Sequence, residues 1–213
     1  MGNFDDKAAD WDRDPAKVER AREVAEAVAA AVPLRPGTRL LEYGAGTGLV
    51  SEALGARVGP ATLADSSAGM RAVLTEKVAS RRLPGGRVWD LDLETDEVPA
   101  ERFDLAVASL VLHHVRALDR VLAGLAELLA PGGHLCIADL DRAEHGQFHQ
   151  HDFDGHDGFD RTELTARLEA EGLVDVVVRD CGTIDREGVT YSVFLAVARR
   201  PGQAQPAGGG EAG

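Results

Sequence analysis

The stretch from Arg39 to Ser51, RLLEYGAGTGLVS, constrains the fold more than any other part of the chain. Leu40 and Leu41 lead to Glu42, and glycines follow at 44, 46 and 48. An apolar run ending in closely spaced glycines reads as a buried strand that turns sharply into a helix. Glycine has no Cβ, so it tolerates φ > 0 and lets a ligand lie against bare backbone. The first N–H groups of the following helix have no partner within it and face such a ligand. Glu42 falls at the carboxyl end of the strand, where open α/β sheets bind their ligands.

The rest of the chain supplies the partners of that strand. Asp14 and Pro15 form a helix start, and Val18, Ala21, Ala25, Val28, Ala29 and Val32 recur at helical spacing. After the glycine loop come a strand over 61–64, a helix capped by Ser67, a strand over 87–91 and a long apolar run over 103–112. His113-His114 ends that run, a helix over 117–129 follows, and 135–138 is a fifth strand. Such alternation predicts a parallel sheet covered on both faces. A helix starting at Asp160 or Thr162 and two β-rich runs, 174–178 and 191–197, form the expected closing helix and antiparallel hairpin.

The stretch E-x-G-x-G-x-G at Glu42, Gly44, Gly46 and Gly48 resembles motif I of the class I S-adenosylmethionine-dependent methyltransferases. The dinucleotide fingerprint fits less well, because Leu49 stands at its third glycine. ADSSAGM resembles that family's D-x-S-x-x-M segment, LDLE its adenine segment, and FDLAVASLVLHHV the segment after it. The resemblance covers roughly residues 38–199. It implies a Rossmann-like domain whose seven strands run in the order 3-2-1-4-5-7-6, with an antiparallel last strand.

The same resemblance assigns S-adenosylmethionine as cofactor, held by Glu42, Gly44, Ala45, Gly46, Gly48, Asp65, Ser66, Met70, Asp92, Leu93 and Ser109. Asp65 would take the ribose hydroxyls, and Met70 would pack near the adenine. Asp92 would accept from the adenine amino group while the Leu93 N–H donates to the ring; Asp90 competes with Asp92. His113 and His114 would stand near the methyl group, with one of them packed under the next helix. APGGHLCIADL, the turn into the fifth strand, reads as purely structural.

The remaining segments are expected to face the acceptor. Residues 1–37 form an N-terminal helical cap segment, in which Phe4 and Trp11 could supply apolar cover. Residues 141–158 hold four histidines, with Asp152, Asp154 and Asp157 among them, too many for a plain connector. His149 and His151 would share a face if the segment is extended. Together with His114 they are the candidate catalytic bases. No ligand set has a recognised zinc spacing, so no metal is expected. From residue 200 the Pro-Gly-Ala-Gln tail offers nothing to bury and is expected to be disordered.

Composition narrows the partners. With 23 basic and 36 acidic side chains the net charge is −13. Gripping nucleic acid takes a basic face that neutralises phosphates, which this balance does not favour. The acidic N-terminus has no apolar signal segment, no run is long enough to span a bilayer, and Cys136 and Cys181 read as reduced core thiols. The expectation is a cytoplasmic methyltransferase acting on a small-molecule acceptor, with no nucleic-acid or membrane partner. The alternatives are a non-catalytic protein that binds S-adenosylmethionine or metal, and a nicotinamide-dependent oxidoreductase.

Overall fold

A computed structural model describes residues 4–142, 148 and 154–202. The sheet has seven strands: β1 (Leu40–Tyr43), β2 (Ala61–Ala64), β3 (Arg87–Trp89), β4 (Phe103–Ser109), β5 (Leu129–Leu140), β6 (Val174–Arg186) and β7 (Val189–Arg199). Their spatial order is β3-β2-β1-β4-β5-β7-β6. β3, β2, β1, β4 and β5 pair in parallel, and β7 is antiparallel to both β5 and β6. The fold expected from the resemblance is therefore the one observed.

The helices are α1 (Phe4–Lys7), α2 (Pro15–Ala31), α3 (Leu49–Leu54), α4 (Ala68–Ala79), α5 (Leu118–Leu128) and α6 (Arg161–Ala170). Short polar side chains start three of them. The side chains of Asp14, Ser67 and Asp160 accept from the N–H groups of Ala16, of Met70, and of Thr162 and Glu163. Each satisfies donors that the helix itself leaves orphaned.

Side chains alternate across a strand, so each central strand feeds both faces of the sheet. Leu41 and Ala106 join Leu122, Leu125, Leu164, Leu168 and Phe194 under α5 and α6. Leu40, Leu105 and Val107 join Val24, Val28, Leu54, Leu63 and Leu74 under α2, α3 and α4. A smaller cluster of Leu140, Ile184, Tyr191 and Val193, with Leu110 and Phe148 against it, sits at the ends of β5 and the hairpin.

Around the fourth and fifth strands the boundaries differ from the sequence expectation. β4 stops at Ser109, and Leu112–His114 form a short 3₁₀ turn instead of more strand. β5 begins at Leu129 rather than 135; its register on β4 shifts between Phe103 and Leu105, which absorbs Pro131-Gly132-Gly133. The N-terminal segment is ordered into α1 and a 3₁₀ helix over Ala8–Arg13 that packs on α4.

Candidate cofactor and acceptor site

The glycine loop joins β1 to α3. Gly44, Gly46 and Gly48 all have positive φ, at 64°, 56° and 77°. Gly44 and Gly48 are also tightly covered: a Cβ on Gly44 would lie 2.2 Å from Val111 Cγ2, and one on Gly48 2.8 Å from Leu74 Cδ2. A Cβ on Gly46 would meet nothing within 4 Å. The loop is thus locked from inside at its ends and bare on its outer face in the middle, as a cradle for a ligand requires.

Asp65 stands at the end of β2, and its carboxylate reaches the loop. Its Oδ2 accepts from Gly46 N at 2.7 Å, and Oδ1 from Ser67 N at 2.8 Å. Burial pushes its pKa up, against the pull of those two N–H groups. An acceptor-only group at this strand end suits a pair of vicinal hydroxyls. Ser66, beside it, is exposed, and Met70 is buried on the first turn of α4.

Glu42 is buried, and its Oε2 accepts from Ser51 N at 3.0 Å. It braces α3 against β1 from beneath the loop. Burial pushes its pKa up to about 7, opposed by hydrogen bonding from Ser51 and by the Lys77 charge. Ala45 holds the loop to β2, its N–H donating to the Ala64 carbonyl at 2.9 Å, and its own carbonyl accepts from Gly48 N at 2.7 Å.

Past β3, Asp92 starts a turn: its Oδ1 accepts from Glu94 N at 2.9 Å, and its carbonyl from Asp96 N. Asp90 is held by Arg71 at 2.9 Å. The Leu93 N–H, expected to face a ring, donates to the Tyr43 hydroxyl at 3.3 Å. Leu93 and Tyr43 are both buried, so this amide is bonded within the protein.

The other half of the rim is built by the ends of β4 and β5. Ser109 is half-buried, and Leu110 adopts φ 51° with its N–H on the Ala138 carbonyl. A non-glycine residue in that region is strained and clusters at functional sites. The kink turns Val111 onto Gly44 and sends Leu112–His114 back over the sheet edge.

His113 is buried there, with its Nδ1 2.6 Å from Oδ1 of the fully buried Asp139. Asp139 also accepts from the N–H groups of Leu112, His113 and Leu140. A carboxylate so surrounded by donors accepts, so Nδ1 carries the proton and Nε2 is the basic nitrogen. His114 packs edge-on to Phe4 at 5.2 Å and lies 4.1 Å from the His113 ring, centroid to centroid. Asp139 is what the sequence reading missed. It ends the apolar run LCIAD as Asp65 ends ATLAD, a signal visible in the sequence.

His149 and His151 lie outside the described residues. The ends of their segment are pinned, however. The Arg142 N–H donates to the Phe159 carbonyl, and Arg161 clamps Asp141 with bonds of 2.7 and 2.6 Å. Gly158 passes so near Asp141 that a Cβ would lie 2.3 Å from its carbonyl oxygen. The His156 N–H donates to the His113 carbonyl at 2.7 Å, and its Nε2 is buried without a hydrogen-bond partner among the described residues. Phe148 lies 6.2 Å from the His113 ring and 5.0 Å from the Tyr191 ring. Phe148 and His156 thus both lie against His113.

Fold and site together define a Rossmann-like α/β protein with a glycine-rich cofactor loop and a buried acid–histidine pair on one rim. The family model described as a methyltransferase domain matches residues 17–178, and the chain belongs to that class I S-adenosylmethionine-dependent methyltransferase family. It is 39% identical over 150 residues to the biotin biosynthesis bifunctional protein BioCD of Bordetella avium, covering 68% of this chain and 31% of that protein. It is 33% identical over 125 residues to an uncharacterized methyltransferase of Schizosaccharomyces pombe, covering 54% and 44%. The chain thus spans less than half the length of these relatives. Among solved structures, a Haloferax volcanii putative methyltransferase complexed with the Trm112 activator superposes with a TM-score of 0.75 at 18% identity, covering 94% of this chain and 99% of that chain. The Bradyrhizobium japonicum N-methyltransferase NodS, complexed with S-adenosylhomocysteine, superposes with 0.68 at 20%, covering 88% and 89%. Among the described residues, no helix is long and apolar enough to cross a membrane.

Proposed function

We propose that the chain moves a methyl group from S-adenosylmethionine to a nucleophilic atom of a small-molecule acceptor, with His113 as the base. The observation that carries this reading is the pairing of His113 with Asp139 on the rim that also holds the glycine loop. When bound, S-adenosylmethionine supplies a methyl on a sulfonium that is already electrophilic. The residues on the page fit it: the bare face at Gly46 for its backbone-facing side, Asp65 for the ribose hydroxyls, and Asp92 for the adenine amino group. Ser109 and the Leu110 kink border the other side of the loop.

The protein's own tasks are alignment and proton removal. Fixing two reactants in line can supply about 7–11 kcal/mol of the barrier. Asp139 fixes the His113 ring and its tautomer, so Nε2 can take a proton from a hydroxyl or another acidic acceptor. A positioned base of this kind contributes roughly 10²–10⁴-fold. In this reading His114 shapes the pocket with Phe4.

The test has two stages. Calorimetry compares S-adenosylhomocysteine with NADH; binding of NADH alone would sink the proposal. A mass-spectrometric screen then offers phenols, amines, thiols and acids with S-adenosylmethionine. With an acceptor in hand, His113→Ala should keep cofactor affinity and lose turnover. Full turnover in that variant would remove His113 from the mechanism.

A further inference from the structure

The segment Phe4–Arg13 is fastened to the cofactor side of the molecule at two points. At one end, Oδ1 of Asp5 accepts from Ser67 Oγ at 2.5 Å and from Gly69 N at 2.8 Å, on the first turn of α4. The approach is close: a Cβ on Gly69 would lie 2.6 Å from Asp5 Cα. At the other end, Oδ1 of Asp12 accepts from Thr47 Oγ1 at 2.6 Å, and Oδ2 pairs with Lys77 Nζ at 2.6 Å.

Lys77 is 3% exposed. A buried ammonium needs compensating carboxylates. It has Asp12 from the N-terminal segment and Glu52 of α3 at 3.0 Å. Glu52 in turn holds Arg82 at 2.7 Å. The network therefore joins the N-terminal segment, α3 and α4.

Thr47 is the one polar side chain of the Gly44–Gly48 loop, and it is 1% exposed. The three glycines around it have no side chain by which the fold could hold them, so Thr47 is the handle of the loop. Its partner lies in a segment outside the sheet.

We propose that Asp12 and Lys77 are positioning residues of the cofactor site. Docking of residues 4–13 through this pair, and through Asp5 on α4, holds the glycine loop in the conformation that takes S-adenosylmethionine. The inference rests on the cofactor reading above. When only a fraction of molecules has the segment docked, apparent affinity falls by that fraction.

The experiment perturbs the two fastenings separately and reads ligand affinity and segment docking in parallel. Asp12→Ala removes the partner of Thr47 and Lys77. Gly69→Ala places a methyl where Asp5 packs, at a helical position that favours alanine and is not a cofactor contact. Calorimetry measures the Kd of S-adenosylhomocysteine, limited trypsinolysis after Lys7 and Arg13 reports docking, and circular dichroism checks the fold. We expect each variant to weaken binding about tenfold, as when docking falls to a tenth of molecules. We expect faster tryptic cleavage in both, slowed by ligand in the wild type. Asp12→Glu, which keeps the charge, should recover most of the affinity. A folded Asp12→Ala chain that is cut faster yet binds within about twofold of wild type would overturn this inference alone, since a change of that size is under 0.5 kcal/mol. If Asp12→Ala fails to fold, Gly69→Ala decides by the same two readouts. A wild-type chain that binds no S-adenosylhomocysteine overturns both this inference and the reading on which it rests.

Discussion

Glu42 is the residue whose chemistry the motif hides. In sequence it marks the cofactor loop, yet in the structure it lies under the loop, buried, with its pKa pushed up to about 7. An unfolded glutamate ionises near 4.5. The folded state therefore resists losing this proton, and stability is greatest below the unfolded value and falls as pH rises from about 4.5 to about 7. The loss is of order 2–3 kcal/mol for this one group. Glu42→Gln should flatten that part of the stability–pH curve, read as the difference between wild-type and variant urea midpoints across the window; parallel curves would show that Glu42 ionises freely. Asp65 allows a sharper test of binding. Asp65→Ala should weaken S-adenosylhomocysteine by about tenfold to a hundredfold, the loss of hydrogen bonds to a charged acceptor. Unchanged affinity by calorimetry in a folded variant would point to another carboxylate. Legibility at this scale follows contact range. The turn at Gly44–Gly48 and the place of Asp65 at a strand end could be read because both depend on local backbone. Asp12 and Lys77 could not, because they pair with each other across 65 residues and no local pattern announces it; for Asp139 the strand end was visible, but its partner His113, 26 residues away, was not.

Elements repeat the lesson in their boundaries. The Pro131-Gly132-Gly133 turn suggested that strand five starts afterwards, but a register shift carries pairing through it from Leu129. The hairpin strands β6 and β7 run past the apolar runs that announced them, because an edge hairpin needs paired backbone more than buried side chains. The alternating burial of Val174–Val178 gives way to the mostly exposed stretch Arg179–Arg186. One long-range cap shows what else was invisible. Arg200 follows β7 and donates from NH1 to the carbonyls of Glu127 and Leu129, at 2.7 and 2.6 Å, and more weakly to that of Ala126. These carbonyls lie at the end of α5 and the start of β5, where a cation is favourable; that of Ala126 also accepts from the Leu129 N–H. Arg200→Ala should therefore cost about 1–2 kcal/mol of unfolding free energy, measured by urea denaturation. A variant as stable as wild type would mean that water caps the helix equally well. Of the expected disordered tail, 203–213 lie outside the described residues.

At the scale of the whole molecule, both cores are split by one sheet, and the proposed ligand sits at the edge that the two halves share. Leu40 and Leu41 of β1 belong to opposite cores, and the glycine loop leaves from the end of that strand. The order of the seven strands could be anticipated only through family resemblance, since periodicity does not say which strand lies beside which. A ligand on this loop also touches what β2 and β4 present, so its binding energy is lost on global unfolding. Ligand that binds only the folded state stabilises it by RT ln(1 + [L]/Kd), about 2.7 kcal/mol at a hundred times Kd. For a chain of this size each kcal/mol moves the melting temperature by about 2–4 °C. S-adenosylhomocysteine at that excess should therefore raise Tm by roughly 5–11 °C. The shift should keep growing with the logarithm of concentration, because mass action does not saturate when the site does. NADH at the same concentrations should leave Tm within about 1 °C, the size of a few tenths of a kcal/mol. Differential scanning fluorimetry across three decades of each ligand checks both arms. A flat response to S-adenosylhomocysteine would mean that the bare face at Gly46 is not a cofactor cradle, and an equal response to NADH would mean that the loop does not discriminate in the way Glu42 and Leu49 suggest.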